Sequence, residues 1–540
     1  MEPAQASQFT GPRAQHRKHL LGVGGTISIA AALAAGLALR AWMMEAFPQP
    51  SGDPQIYADL AKNLLRHGQF ATTGGNGMLH PTLIRLPGYP LFMAVCFSFL
   101  GMDNLSAIGW LQIALELAGY LLLADFVRRI ASSGAAHCTL WLAALCPFTA
   151  IYAGAPLTEA PTVFLIAWAL WLVQRFQEQP EWKHALLFTA AVTFAALLRP
   201  DGALVAVALA PAMLWGAVVV PPFPQKTRKR DGQPGEAREG TGFRPSVWEG
   251  TAFRPYIKDT EKDRALAPEA VPPQNPIRIP RVKLARMAFA CALLALAPFA
   301  YWTWRNWQVY HVFEPLAPRY AQDPGEDVDP GWQRWVKTWC LDFVSTYEIY
   351  WNEPGDKLDI HDLPSRAFDS PAQYAQTAAL FQAYEANGEE LSADLDARFG
   401  RLAAQRIADH PLRYYVWLPL GRLADMWLRP RVENLPIDLD WWVYRHHYAE
   451  TRFSWFYAAL NAVYLLLGIA GLCLRPRFWK WMLLYFVLRS ALLATIEAPE
   501  ARYTIECFPM LFALGGIALY RLTNWVFLSV LKVKPSFGIG

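Results

Sequence analysis

Apolar residues in this chain come in long blocks broken by short charged turns. Ten blocks carry almost no charge: residues 23–44, 105–127, 137–154, 160–176, 184–198, 202–220, 285–304, 453–474, 480–496 and 503–521. A bilayer core of about 30 Å takes roughly 20 helical residues, so each block reads as a spanning helix. The pattern predicts an all-α integral membrane protein with about ten transmembrane helices. A further apolar run, Pro87 to Leu100, is too short to cross comfortably, and Arg85 stands at its entrance beside Pro87 and Gly88. The first block follows a basic head with Arg13, Arg17 and Lys18. It is longer than a signal-peptide core, so it reads as an uncleaved anchor.

These blocks divide the chain into a basic N-terminus (1–22), a transmembrane module (23–220) whose first outer loop is 45–104, and a loop (221–284). A lone span (285–304), a polar region (305–452) and C-terminal spans (453–540) follow. The 221–284 loop is Pro-rich, basic around "KTRKR" and without apolar periodicity, which predicts a flexible segment. In the polar region Ser370–Pro371 reads as an N-cap followed by a helix-starting proline, with helical spacing onward to about Asp409. Residues 410–430 are apolar on one face but contain Arg413, Arg422 and Asp425, which predicts an amphipathic helix in the membrane interface.

Composition agrees with this picture. The 540 residues are 54% hydrophobic and 14% aromatic, too apolar for an ordinary soluble protein. Seven single cysteines offer neither a metal spacing nor a disulfide framework, and no nucleic-acid module is present. The net charge of +4 matters less than its placement. If 87–100 lies in the interface, then the N-terminal head, Arg128 and Arg129, "KTRKR", "LRPRFWK" (474–480), Lys532 and Lys534 all fall on one side. That side is cytoplasmic by the positive-inside rule, so both termini are expected in the cytoplasm.

The opposite face then collects Asp53, Arg85, Glu159, Arg199, the 305–452 region and "EAPEARY" (497–503). Asp53, just before Pro54, has two readings: a cap for the following helix, or a general base made more basic by partial desolvation at the membrane boundary. Tyr57, one turn on, either packs or contacts a sugar, and Asp59 points into solvent. Arg85 and Arg199 either snorkel to headgroups or hold a lipid phosphate through paired, charge-assisted hydrogen bonds. Glu159 suits the helix N-terminus that it begins, and could instead bind a cation or orient a sugar hydroxyl. Glu497, Glu500 and Arg502 form either a local ion pair or a contact to acceptor or phosphate.

"SGDPQIYADLAKNLLRHGQF" (51–70) followed by "PTLIRLPGYPLFMA" (81–94) resembles the first outer loop of bacterial GT-C glycosyltransferases. These are the polyprenyl-phosphate-sugar-dependent enzymes related to protein O-mannosyltransferases and lipid A aminoarabinose transferases. "PLTEAP", "LLRPDG", "WRNWQVYHVF", "ADHPLRYY" and "EARYTIECFP" follow in the matching order. The resemblance implies a multispan helical fold with interfacial helices in the first outer loop and a helical periplasmic segment. It also implies an inner-membrane enzyme with a periplasmic site.

By position, Asp53 matches the catalytic carboxylate of the family and Arg85 a basic residue near the donor phosphate. Arg199 falls where relatives keep a cation, and "WRNW" adds Arg305 to the phosphate candidates. Tyr57, Glu159, Glu497, Glu500 and Arg502 remain substrate or cation contacts. Pro54 replaces the second acid of a signature seen in several relatives, which leaves Asp53 as the single evident base. No compact ligand set is visible, so a divalent cation, bound by some relatives, stays open.

The expected partners are a polyprenyl-phosphate sugar, a lipid, glycan or protein acceptor, and membrane lipids. The expected activity is inverting transfer of the sugar to an acceptor hydroxyl at the outer face. A flippase or carrier of lipid-linked saccharides is the alternative.

Overall fold

The computed structural model describes residues 23–47, 52–218, 280–326, 328–352, 355–438, 441–442 and 447–530. The basic head, nearly all of the 221–284 loop, Lys532 and Lys534 lie outside the described residues. Helices dominate: α1 (Val23–Ala46), α2 (Asp53–His67), α3 (Gly88–Leu100), α4 (Leu105–Ile130), α5 (Ser133–Ala144), α6 (Pro147–Ala153), α7 (Glu159–Glu178), α8 (Trp182–Leu198) and α9 (Ala203–Val218) precede the basic loop. After it come α10 (Arg281–Tyr310), α11 (Pro330–Lys337), the single turn α12 (Phe343–Ser345), α13 (Pro371–Ala386), α14 (Ala393–Asp409), α15 (Leu418–Leu428), α16 (Tyr448–Cys473), α17 (Trp479–Leu493) and α18 (Phe508–Val530).

Over the described residues, each apolar block expected to span is mainly helical. Among the described residues, five helical stretches are long and apolar enough to cross a membrane: α1, α4, α10, α16 and the run ending in α18. The pair α5 and α6, bent by 56° at a short break, would make a sixth. By length and composition the described residues thus give five or six spans where about ten are expected from the sequence. The 13-residue α3 is about 20 Å long, too short to cross, and it packs against α2.

The spans are not wholly uncharged. Arg40 of α1 and Glu116 of α4 are both buried and meet at 3.0 Å. The guanidinium also donates to the carbonyls of Ala144 at 2.8 Å and Gly36 at 3.1 Å. Pairing of this kind is what makes charges tolerable inside a bundle.

One exception to the all-helical expectation is a short antiparallel ribbon, β1 (Ala71–Thr73) on β2 (Leu79–Pro81), with Thr72 opposite His80. Asp59 fixes it by accepting from the backbone N–H of Thr73 at 2.6 Å and its hydroxyl at 2.8 Å. The carboxylate expected to point into solvent is thus a structural anchor.

The polar region builds a small lobe of its own. Trp332, Trp335 and Trp339 stack with Phe381 and Phe399 of α13 and α14 in a second core. Ser370 caps α13 as expected, accepting from the N–H of Gln373, with Pro371 opening the helix. The 410–430 stretch departs from a plain amphipathic helix. An irregular turn over 413–417 precedes α15, and Arg422 is fully buried. It donates to the carbonyls of Cys340, Lys337 and Ile496 and so ties α15 to the lobe and to the turn after α17.

Candidate active site

A cavity of about 1490 Å³ lies where the segment between α1 and α4, the ends of α8 and α17, the N-terminus of α7 and the 497–503 turn meet. Asp53, Tyr57, Arg85, Glu159, Arg199, Glu497, Glu500 and Arg502 all line it. Eight of the nine candidate residues, spread over 450 positions of sequence, therefore share one space.

Asp53 is the first residue of α2, behind Gly52, which takes a left-handed backbone (φ 88°) and makes no side-chain cap. The capping reading is thereby overturned, and the carboxylate turns to arginines instead. Arg85 Nη2 donates to Oδ1 at 2.7 Å, and Arg502 Nη1 stands 3.6 Å from Oδ2. Burial pushes the Asp53 carboxyl up, but Arg85, then Arg502 and Arg199, hold it below its ordinary value. This corrects the expectation that partial desolvation at the membrane boundary makes Asp53 more basic; the nearby guanidiniums outweigh the lost solvation.

Arg85 is carried by the loop between β2 and α3. Asp59 secures the ribbon on one side, and Leu83 N–H donates to Asp323 at 2.7 Å on the other. Three residues on, Gly88 lets α3 approach the end of α8 so closely that a Cβ there would sit 2.5 Å from the Leu197 carbonyl. That contact brings the Arg85 loop beside Arg199, which follows Leu198.

Arg199 does not snorkel. It faces three carboxylates: Glu159 at 3.5 Å, Asp201 at 3.3 Å and Glu506 at 3.4 Å. Its guanidinium also lies 5.2 Å from the ring centre of Tyr503. Arg489 of α17 pairs with the same Asp201 and Glu506, the latter at 3.0 Å. Neither Arg489 nor Glu506 stood out in the sequence. The "YTIEC" spacing places Glu506 three residues into the apolar run 503–521, and an acid buried there was the available signal.

Arg502 forms the expected local ion pair with Glu500, which also accepts from the Tyr503 hydroxyl. It nonetheless keeps one edge toward Asp53. Glu497 sits at the rim, bound by Arg319 at 2.9 Å and Lys337 at 3.0 Å. Tyr57 packs edge-on against Tyr89; burial and the Asp53 charge push its hydroxyl up to about 12, so it stays protonated as a donor.

Arg305 is the candidate that the fold does not bring to the cavity. It donates to the carbonyls of Phe70 at 2.7 Å and Thr82 at 2.8 Å, beneath the rings of Phe70 and Trp302. Its charge clamps the two ends of the ribbon. Among the described residues no group of three or more His, Cys, Asp or Glu side chains converges to hold a metal ion. Asp53 and Glu159 each face a guanidinium instead, so no step is routed through a metal.

The arrangement is a large cavity with mixed apolar and charged walls, three arginines on one side and a carboxylate held among them. It can bind an anionic headgroup and place a proton acceptor next to it. No curated protein matches the chain. Among solved structures it is similar to the archaeal oligosaccharyltransferase AglB from Archaeoglobus fulgidus, in complex with an inhibitory peptide and a dolichol-phosphate (TM-score 0.43, 11% identity, 93% of this chain and 51% of that one). It is also similar to ArnT from Cupriavidus metallidurans bound to undecaprenyl phosphate (TM-score 0.34, 14% identity, 95% of this chain and 81% of that one). The chain thus spans about half the length of the first. Residues 80–223, which hold Arg85, Glu159 and Arg199, match the family described as dolichyl-phosphate-mannose-protein mannosyltransferase, and over that stretch the resemblance of this chain to the GT-C glycosyltransferases is borne out.

Proposed function

We propose that this protein is an inverting glycosyltransferase that moves a sugar from a polyprenyl phosphate to an acceptor hydroxyl. The observation that carries the reading is Asp53 held between Arg85 and Arg502 on the wall of the cavity. The site faces the periplasm of a bacterial inner membrane, with both termini in the cytoplasm; the segregation of basic loops supports that orientation.

The chemistry follows from the charges. A donor phosphate competes with Asp53 for Arg85 and Arg502, since a guanidinium fork fits either anion. As the arginines turn to the phosphate, Asp53 loses its counterions and its carboxylate becomes more basic. It then takes the proton from the acceptor hydroxyl while the hydroxyl oxygen bonds to the anomeric carbon. The bond from that carbon to the phosphate oxygen breaks on the opposite face, its electron pair leaving with the polyprenyl phosphate. The arginines stabilise the charge that grows there, so the leaving group needs no proton.

The test is turnover of a labelled polyprenyl-phosphate sugar pool by membranes carrying wild type or Asp53→Asn at equal protein level. Transfer by wild type alone supports the enzyme and the base. Equal transfer removes Asp53 from the chemistry. If both proteins bind the lipid and neither releases sugar to any of several acceptors, the carrier reading replaces this one.

A further inference from the structure

Glu159 carries an oddity that phosphate binding and proton transfer leave unused. It is only 1% exposed yet lines the cavity. Its Oε1 lies 3.5 Å from Arg199 Nη1, while among the described residues its Oε2 has no hydrogen-bond partner. A buried carboxylate oxygen without a donor costs free energy, unless a ligand completes it.

Its surroundings say what that ligand brings. Tyr57 feels the charges of both Asp53 and Glu159, and Arg502 feels both as well. Glu159 therefore lies close to the reacting end rather than at the rim, where Arg319, Lys337 and Glu497 meet. Glu159 lines the same cavity as Asp53, Arg85 and Arg502, so a group attached to a phosphate held by those arginines can reach it. Arg199, already shared with Asp201 and Glu506, reaches only Oε1, so among the described residues Oε2 is left to take a donor from the ligand. A neutral hydroxyl meets the need.

Resting on the function proposed above, we infer that Glu159 is the residue that reads the transferred sugar, accepting a hydrogen bond through Oε2 from a hydroxyl of the glycosyl group. Arg199 is then a positioning residue. Its charge is shared among Glu159, Asp201 and Glu506, and it fixes the Glu159 carboxylate rather than taking the donor phosphate. Because Glu159 opens α7, its backbone is set by the fold, and the length of its side chain sets the reach.

The experiment measures binding, so it does not depend on turnover. Purified full-length wild type, Glu159→Gln and Glu159→Asp in nanodiscs are titrated with undecaprenyl phosphate, undecaprenyl-phosphate mannose and undecaprenyl-phosphate glucose. Wild type is expected to bind one of the sugar-bearing lipids about tenfold to a hundredfold more tightly than the sugar-free lipid. Both variants should lose most of that increment while binding undecaprenyl phosphate as wild type does. The aspartate keeps the charge but shortens the reach by one methylene, and the glutamine keeps the length without the charge, so the two together separate reading of the sugar from folding. Variants that keep the increment, or that weaken the sugar-free lipid equally, overturn the inference. So does a wild type that gains nothing from either sugar. If wild type binds none of the three lipids, the lipid-phosphate reading fails first.

Discussion

Arg85 donates to Asp53 across 2.7 Å, joining the loop before α3 to the first residue of α2 and closing both charges on each other on the cavity wall. The pair is half-buried, so its contribution is screened less than that of a surface pair. It makes the carboxylate a competitor of any anion that needs the same arginine.

Removing the competitor gives the first prediction. Asp53→Asn should bind undecaprenyl phosphate at least as tightly as wild type, and a few-fold more tightly if Arg85 is fully released. Transfer should fall about 10²-fold or more, the usual scale for loss of a general base. Arg85→Lys keeps the charge without the fork and should weaken lipid-phosphate binding about tenfold. Titration of both variants against the same lipid checks the pair; weaker binding by Asp53→Asn would mean that the carboxylate supports the site instead of competing for it.

The pH dependence has a definite sign. Arg85 and Arg502 hold the Asp53 carboxyl below its ordinary value, so in the free protein it stays ionised as the pH falls through the normal carboxylate range. The stability from this pairing is fully present above the unfolded pKa and is lost as the pH falls through the lower folded value. The acid limb of kcat/KM should therefore lie below the ordinary carboxylate pKa. In Arg502→Gln the limb should move to higher pH. A limb unchanged in that variant would assign it to another group.

Asp425 of α15 behaves oppositely. Burial pushes its carboxyl up to about 7, further raised by Asp342 and Glu433 although Arg429 opposes them. The folded chain then holds a proton that the unfolded chain has released above about pH 4. Stability should fall as the pH rises from about 4 to about 7 and level off beyond that. Melting temperatures of wild type and Asp425→Asn measured at several pH values should converge at the acid end and diverge toward neutrality, with the asparagine variant higher. Parallel curves would show that Asp425 does not titrate in this window.

Arg305 supplies a contrast between clamp and ligand. Arg305→Met should cost about 1.5–3 kcal/mol, the scale of hydrogen bonds made by a charged donor, because the carbonyls of Phe70 and Thr82 lose their partner. The folded fraction should still bind undecaprenyl phosphate as wild type does. Differential scanning calorimetry alongside lipid titration separates the two, and loss of binding without loss of stability would return Arg305 to the phosphate site.

How much of this was legible beforehand depends on the physics involved. The apolar helices were readable because a bilayer imposes a local requirement: an uninterrupted apolar run whose backbone satisfies itself. The shortness of 87–100 and the Ser370–Pro371 helix start were readable for the same reason, since length and capping lie within a few neighbouring residues. Candidate charges could be found by asking which polar groups interrupt or flank apolar runs. That test found Asp53, Arg85, Glu159 and Arg199, and overlooked Glu506 and Arg489, which sit inside runs that look complete.

What the sequence by itself determined was the helical class and the set of residues worth testing. Which of them work together was decided only by tertiary structure. Asp53 is a depressed carboxylate rather than a helix cap because Arg85 and Arg502 arrive from 32 and 449 residues away. Arg199 is encircled by acids, Glu159 has one oxygen without a partner among the described residues, and Arg305 closes a ribbon. Such roles depend on distances of a few ångströms between remote segments, and electrostatic and hydrogen-bonding energies change steeply over those distances.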